Sequence, residues 1–426
     1  METPLTQRLA AGATNILLLG LLCTPSGSFG QDEAAVPEGK PHSLFVLPAI
    51  NFSDDLGFGY GALVQWDDKR SADYQPYYLS HRVLIQRTTR GIADYYYRLD
   101  SKYLLPRGLR LTVETRYRVS LFEPYHGLGG AQTRYSASYH DEDSGGDYRG
   151  KFYYTYDKRS IQANVLVQGG GERLRWLAGV IHLSTAVDTI NYASHGEKPT
   201  LRSLLAREVA LDRVQLAGGR ESGLAAGLVW DGRDHETTPT RGIWSEVLLR
   251  WVPAVPTNDY FYTVVTATHR HYVPLYRNLT FAYRLSARAM SAGAPFFSVP
   301  NIDGSFAMVT GLGGYRTLRG VLWQRAVGRR LFYGNFELRY RLRPLWRSGY
   351  LAWSAFLDLG RSFDAAPPDE MPDAGEFSDR WHRGVGSGLR LAPHASLVIA
   401  FELGWPVEPQ LDGPGMKLYI GVDWLF

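Results

Sequence analysis

From residue 43 to the end of the chain, apolar and polar side chains alternate with a period of two, which sets successive residues on opposite faces of extended strands. One face of the segment 109–119 reads Leu109, Leu111, Val113, Thr115, Tyr117 and Val119, and the other reads Arg110, Thr112, Glu114, Arg116 and Arg118. The pattern returns as Leu279, Phe281, Tyr283 and Leu285 against Thr280, Arg284, Ser286 and Arg288. It returns again as Phe336, Leu338, Tyr340 and Leu342 against Asn335, Glu337, Arg339, Arg341 and Arg343. A soluble β-sandwich also alternates, but in short strands whose polar face is mostly Thr, Ser, Lys and Glu. Here the strands are long, the polar face is dense in Arg with interspersed Glu and Asp, and Tyr and Trp gather near strand ends. An Arg turned to lipid at mid-bilayer costs roughly 2–4 kcal/mol. These arginines therefore line a wet or charge-paired lumen, and the expected fold is all-β, an antiparallel transmembrane β-barrel.

Parity sets the strand count. The segments run from 43–52 to 416–426 and total sixteen, an even number that returns both ends to the periplasmic side. Segment 147–168 is divisible at Asp157-Lys158-Arg159-Ser160, but the division gives an odd total, so it is read as one long, kinked strand. The long connections 121–146, 186–222, 292–330 and 364–380 then all fall on the extracellular side, with short turns opposite. In the last strand the apolar face is Met416, Leu418, Ile420, Val422, Trp424 and Phe426. An aromatic residue at the end of such a strand resembles the signal that outer-membrane barrels present to the barrel assembly machinery.

The segment ahead of the strands reads as a targeting sequence. Arg8 supplies the positive flank, Ile16 to Leu22 form the apolar run, and Ser28-Phe29-Gly30 places cleavage before Gln31. The run is too short for a spanning helix, which needs about 20 apolar residues. Cys23 follows a bulky Leu22 where a lipidation site wants a small residue, so it is expected to leave with the signal. No other cysteine exists, which excludes a disulfide scaffold. The expected organisation is a signal peptide over 1–30, a short periplasmic N-terminal segment over 31–42 and the barrel over 43–426. Composition adds 27 Tyr, 11 Trp and 45 Gly, and a net charge of +4 that gives no reason to expect nucleic acid as a partner. The expected location is the outer membrane, among lipopolysaccharide and phospholipid.

Five motifs fall in a consistent order along the chain. Within the connection 292–330 stands Leu312-Gly313-Gly314-Tyr315-Arg316-Thr317-Leu318-Arg319-Gly320-Val321. The next two strands carry Asn335-Phe336-Glu337-Leu338-Arg339 and Phe356-Leu357-Asp358-Leu359-Gly360. Asp231-Gly232-Arg233-Asp234 is followed by Pro239-Thr240-Arg241-Gly242, and Tyr125-His126-Gly127-Leu128-Gly129-Gly130 follows the fifth strand. With these motifs nearly the whole mature chain resembles the barrel domain of the bacterial surface antigen, or outer-membrane assembly factor, superfamily (BamA/TamA-like). The resemblance implies a sixteen-stranded barrel whose sixth extracellular loop folds inward. Arg319 of that loop is expected to pair with Asp358, which alternation turns inward, through two parallel charge-assisted hydrogen bonds. Glu337 is a second expected partner, and Gly313, Gly314 and Gly320 supply the turns and close approach. Two departures stand out. The loop tip carries Val321 where the family has Phe or Tyr, with Trp323 as the available substitute, and residues 31–42 are too few for the family's periplasmic polypeptide-transport-associated (POTRA) repeats.

Three functions follow as alternatives. An insertase-like barrel opens between its first and last strands, where Pro48 lacks a donor and Gly421 weakens pairing. It implies a protein substrate or a periplasmic partner. A passive channel or transporter uses the Arg-rich lumen for anions, and a structural surface barrel binds through its long loops. No enzyme and no cofactor is expected. His140-Asp141-Glu142-Asp143 reads as a solvated acidic loop before a cation site, and His269 with His271 lacks an evident third metal ligand.

Overall fold

The alternating segments pair edge to edge into one antiparallel sheet that closes on itself. The computed structural model describes residues 42–53, 56–70, 77–128, 153–189, 203–235, 238–305, 308–345, 349–364, 381–394, 397–413, 415–422 and 426. The signal segment, the acidic loop at 140–143 and Trp424 lie outside the described residues.

The first strand, β1, has two pieces, His42–Pro48 and Asn51–Ser53, in one register against the second. There follow β2 (Gly57–Asp68), β3 (Leu79–Thr88), β4 (Ile92–Ser101) and β5 (Arg110–Pro124). Next come β6 (Thr155–Gly170), β7 (Leu174–Asp188), β8 (Gly219–Asp231), β9 (Gly242–Val252) and β10 (Tyr262–Tyr276). The wall is completed by β11 (Leu279–Met290), β12 (Arg330–Leu345), β13 (Gly349–Ser362), β14 (His382–His394), β15 (Leu397–Pro406) and β16 (Lys417–Val422). Each strand pairs with its chain neighbours, and β16 pairs with β1 to close a sixteen-stranded barrel. A β-barrel with no open edge satisfies its backbone internally, which is what lets strands cross a bilayer. The strand expected over 147–168 enters the ladder only at Thr155. Before it, Tyr153 and Tyr154 pack in one cluster with Tyr125, Phe297 and Leu205 of the short helix α1 (Leu204–Ala210).

Burial is inverted relative to a soluble protein. In β11 the buried positions are Thr280, Ala282, Arg284, Ser286, Arg288 and Met290, while the intervening apolar side chains face outward. Val180, Leu224, Leu228, Val247 and Leu249 stand exposed on the outer wall of β7–β9, the surface a barrel presents to hydrocarbon. Inside, charge is paired across strands: Arg116 with Asp94, Arg110 with Asp100 at 2.7 Å, and Arg98 with Glu114 at 3.4 Å.

The turn between β8 and β9 shows why its motif is spelled as it is. Arg233 bridges both oxygens of Asp231, through Nε and Nη2 at 2.9 Å each. Asp234 accepts from the Thr240 amide at 2.9 Å and from the Thr240 hydroxyl at 2.5 Å, and its own amide donates to the Arg241 carbonyl at 3.0 Å. Partial burial alone would raise the Asp234 carboxyl, but the Thr240 donors outweigh it and hold the group down at about 2. A depressed carboxyl contributes stability above its unfolded value, about 3.9, and that contribution is lost as pH falls through the folded value. The Thr240 amide should keep its hydrogen-exchange protection down to about pH 3 and lose it toward about pH 2. Asp234→Ala should remove that protection throughout the range.

Candidate functional site

The segment Gly311–Gly328 lies between β11 and β12 in sequence and is bonded to inward-facing residues around much of the wall. Arg319 is the centre. Its Nε and Nη2 meet the two oxygens of Asp358 at 2.8 and 3.0 Å, and its amide donates to Asp358 Oδ2 at 3.0 Å. Its Nη1 reaches Glu337 at 2.6 Å and Glu402 at 2.8 Å. The guanidinium carbon sits 3.6 Å from the ring centre of Phe356. Arg319, Asp358, Glu337 and Glu402 are all essentially fully buried. Two further cations complete the cluster: Arg339 donates to Glu337 Oε2 at 2.7 Å, and Arg390 pairs with Glu402. Three guanidinium groups thus face three carboxylates, and the cluster is neutral as a whole. Burial is tolerable only on that condition.

The backbone of the tip is seated in a groove made by glycines. Gly320 adopts φ +90° and lies against the Trp405 backbone, where a Cβ would stand 2.6 Å from the Trp405 carbonyl carbon. On the wall, a Cβ on Gly384 would overlap the Arg319 carbonyl oxygen, and one on Gly404 would stand 2.7 Å from the Gly320 nitrogen. Glycine inside a strand marks such a close approach of another backbone. The Gly320 amide donates to the Tyr419 hydroxyl of β16 at 3.0 Å. Gly313 and Gly314 shape the base of the turn: their amides donate to Thr317 Oγ1 and to the Val321 carbonyl, each at 2.9 Å.

Other strands hold the same segment. Arg284 of β11 donates to the Arg316 carbonyl at 2.8 Å, and Asn335 of β12 to the Thr317 carbonyl at 2.6 Å. Gln324 donates to Glu123 of β5 at 2.9 Å. Val321, which stands where the family has Phe or Tyr, is buried with Ile302, Leu312, Leu318 and Leu331. The aromatic contacts near the tip come from Phe356 and Tyr419. Trp323 instead donates to Thr310 Oγ1 at 3.3 Å and receives the Arg118 guanidinium over its ring at 5.5 Å.

Arg319, Asp358 and Glu337 are brought together as the motifs imply. Glu402, Arg390, Gly384 and Gly404 were not singled out by the sequence, and Arg339 was named only as part of a motif, not as a partner of Glu337. Glu402 and Arg390 fall on inward positions of their strands, which was the available signal, but alternation does not say which inward charges meet. His269 and His271 turn Nδ1 to the hydroxyls of Ser245 and Tyr283, at 2.8 and 3.1 Å.

The seam is the second feature. Among the described residues β16 pairs with β1 only at Ser53–Tyr419 and Phe52–Ile420. The β6–β7 ladder, by contrast, runs unbroken from Asp157–Asp188 to Gly170–Arg175. Leu44, Phe45 and Val46 are 65%, 51% and 61% exposed. The Ala49 amide donates to Gly61 of β2 at 3.0 Å, so the neighbouring even positions of β1 aim their amides at the seam. Pro48 occupies one of these and supplies no donor. Gly421 faces the lumen, with the Tyr315 ring beyond it. Phe426 departs from expectation. The alternation of β16 assigns it to the lipid face, but it is buried against Tyr272 and Ala282. A lumen-facing ring gains guanidinium contacts from Arg339 and Arg284 that a hydrocarbon surface lacks.

The Omp85 superfamily domain matches residues 105–422. The chain belongs to the Omp85 superfamily. Its fold is similar to that of BamA from Haemophilus ducreyi lacking POTRA domains 1–3, with a TM-score of 0.58 and 13% identity over 90% of this chain and 70% of that one. It is also similar to CdiB from Acinetobacter baumannii, with a TM-score of 0.51 and 14% identity over 90% of this chain and 60% of that one. For CdiB from Escherichia coli the TM-score is 0.54 at 10% identity, over 91% and 64% of the two chains. The Omp85 chain thus spans less than two thirds of either CdiB. No curated protein matches it.

Removing Arg319 leaves one net buried negative charge and takes from Asp358 its guanidinium partner, while Glu337 and Glu402 keep Arg339 and Arg390. Arg319→Ala should cost about 3–5 kcal/mol, read as a lower urea midpoint in detergent, with Arg319→Lys intermediate because ammonium cannot bridge two oxygens. Gly384→Ala should displace the tip with every charge intact, making the Arg319–Gly320 bond newly accessible to protease.

Proposed function

We propose that this Omp85 barrel lies in the outer membrane and inserts polypeptide into it, or passes polypeptide across it, at the seam between β1 and β16. The observation that carries the reading is the seam itself: two residue pairs among the described residues, beside a first strand whose side chains are exposed on both faces. An unpaired strand edge is a template on which another chain adds a strand, held by main-chain hydrogen bonds. Pro48 removes one seam-facing donor, which weakens the hold of β16 on that edge. The ionic cluster around Arg319 supports a loop folded inward as a plug, which favours lateral use of the wall over free passage through the lumen. The proposal invokes no catalytic residue and no cofactor. It requires outer-membrane lipid, lipopolysaccharide with phospholipid, as the receiving phase. It requires the barrel assembly machinery for the chain's own insertion after export by a cleaved signal peptide, and a polypeptide substrate or periplasmic partner.

Phe52 and Ile420 are direct cross-strand neighbours, close enough for an engineered disulfide. Proteoliposomes containing the protein should accelerate the folding of a small, urea-unfolded barrel protein, followed by its heat-modifiable mobility. Oxidised F52C/I420C should abolish the acceleration and reduction should restore it. Undiminished activity with the seam locked would sink the proposal.

A further inference from the structure

Among the described residues the ladder of β16 with β15 runs to Val422. Continued in register with β1, the chain would bring Phe426 opposite Val46. Instead Phe426 is 6% exposed, against Tyr272 of β10 and Ala282 of β11. Its main-chain oxygen accepts from Arg339 Nη2 at 3.0 Å. The guanidinium carbons of Arg339 and Arg284 lie 4.8 and 5.3 Å from its ring centre.

We propose that β10, β11 and β12 build a lumenal binding site for an aromatic residue, and that its ligand is Phe426 of the same chain. Every part of the aromatic residue is met. Ala282, fully buried, is small enough to leave room for the ring, and Tyr272 supplies an aromatic wall at a centroid distance of 6.4 Å. Two cations face the ring, an attraction that strengthens with desolvation. Arg339 holds the carbonyl while its Nε donates to Glu337 at 2.7 Å, so the donor is pre-oriented by a carboxylate. Burial of a phenyl ring does not by itself select this place, because hydrocarbon outside the wall accepts it equally. The hydrogen bond and the cation contacts exist only inside. The site also shares Arg339 with the Arg319 cluster, because the other oxygen of Glu337 receives Arg319. Docking of Phe426 and seating of the loop tip therefore draw on one guanidinium–carboxylate pair, and Phe426 itself lies at β10 and β11 rather than at β1. This holds whether or not the barrel inserts polypeptide.

The test places p-benzoylphenylalanine at position 426 of the full chain in phospholipid vesicles and maps the photo-cross-link by mass spectrometry. The cross-link is expected in the β10–β11 hairpin around Tyr272 and Ala282. Arg339→Gln and Ala282→Leu should each lower its yield several-fold. A cross-link into residues 42–53, or a yield unchanged in both variants, overturns the proposal. Folding of each variant is checked by heat-modifiable mobility. Ala282→Leu leaves every charge in place and decides the matter if Arg339→Gln does not fold, and the position of the cross-link in the otherwise unaltered chain decides it if neither does.

Discussion

A guanidinium with no exposure to solvent has to be neutralised where it stands, and the architecture around Arg319 follows from that requirement. One carboxylate would balance its charge, but three converge on it, and Arg339 and Arg390 then balance the other two. The six groups come from the loop and from β12, β13, β14 and β15. Each strand must therefore hold its register for the cluster to be neutral, and the tip cannot move while the acids stay dry. Buried ion clusters add little net stability over an apolar core of equal volume, because desolvation offsets most of the attraction. Their effect is positional: misplacing one charge strands the others. Glycines in the wall and the tip convert that electrostatic demand into a backbone fit.

The same logic divides the barrel into sides. The β4–β5 wall is cross-braced by Asp94–Arg116 and Arg98–Glu114, and the β12–β15 wall by the Arg319 cluster. Among the described residues no ion pair spans β1 and β16. The strand pair with the shortest described ladder thus has no ion pair across it to reinforce that ladder, so it deforms more easily than the cross-braced walls.

Much of this was legible in the sequence, for reasons that can be stated residue by residue. A period of two with Arg on one face is decisive because lipid tolerates almost no charge, and parity then fixes sixteen strands. Asp358 and Glu337 were found because they stand in the two strand motifs that resemble the family's, and alternation turns both inward. Alternation does not say which inward charges meet across a lumen, and so Glu402 and Arg390 were missed. The glycine groove was missed for a related reason, since a glycine in a strand shows that something comes close but not what. The start of β6 was misplaced because Tyr153 and Tyr154 alternate like strand residues while packing in the loop layer. Phe426 was misassigned because alternation weighs only apolar against polar surroundings, whereas an aromatic ring also gains from the lumenal cations Arg339 and Arg284.

The first strand carries one further consequence. Leu44-Phe45-Val46-Leu47 is apolar on both faces, uncharged and free of glycine, the composition of segments that stack into cross-β aggregates. Before lipid covers it, that run is the chain's chief liability to precipitation. Pro48 directly follows it and cannot take part in a stacked ladder, as gatekeeper residues flanking unavoidable hydrophobic strands do. The residue that leaves the seam short of a hydrogen bond in the membrane thus also protects the polypeptide in water on the way there.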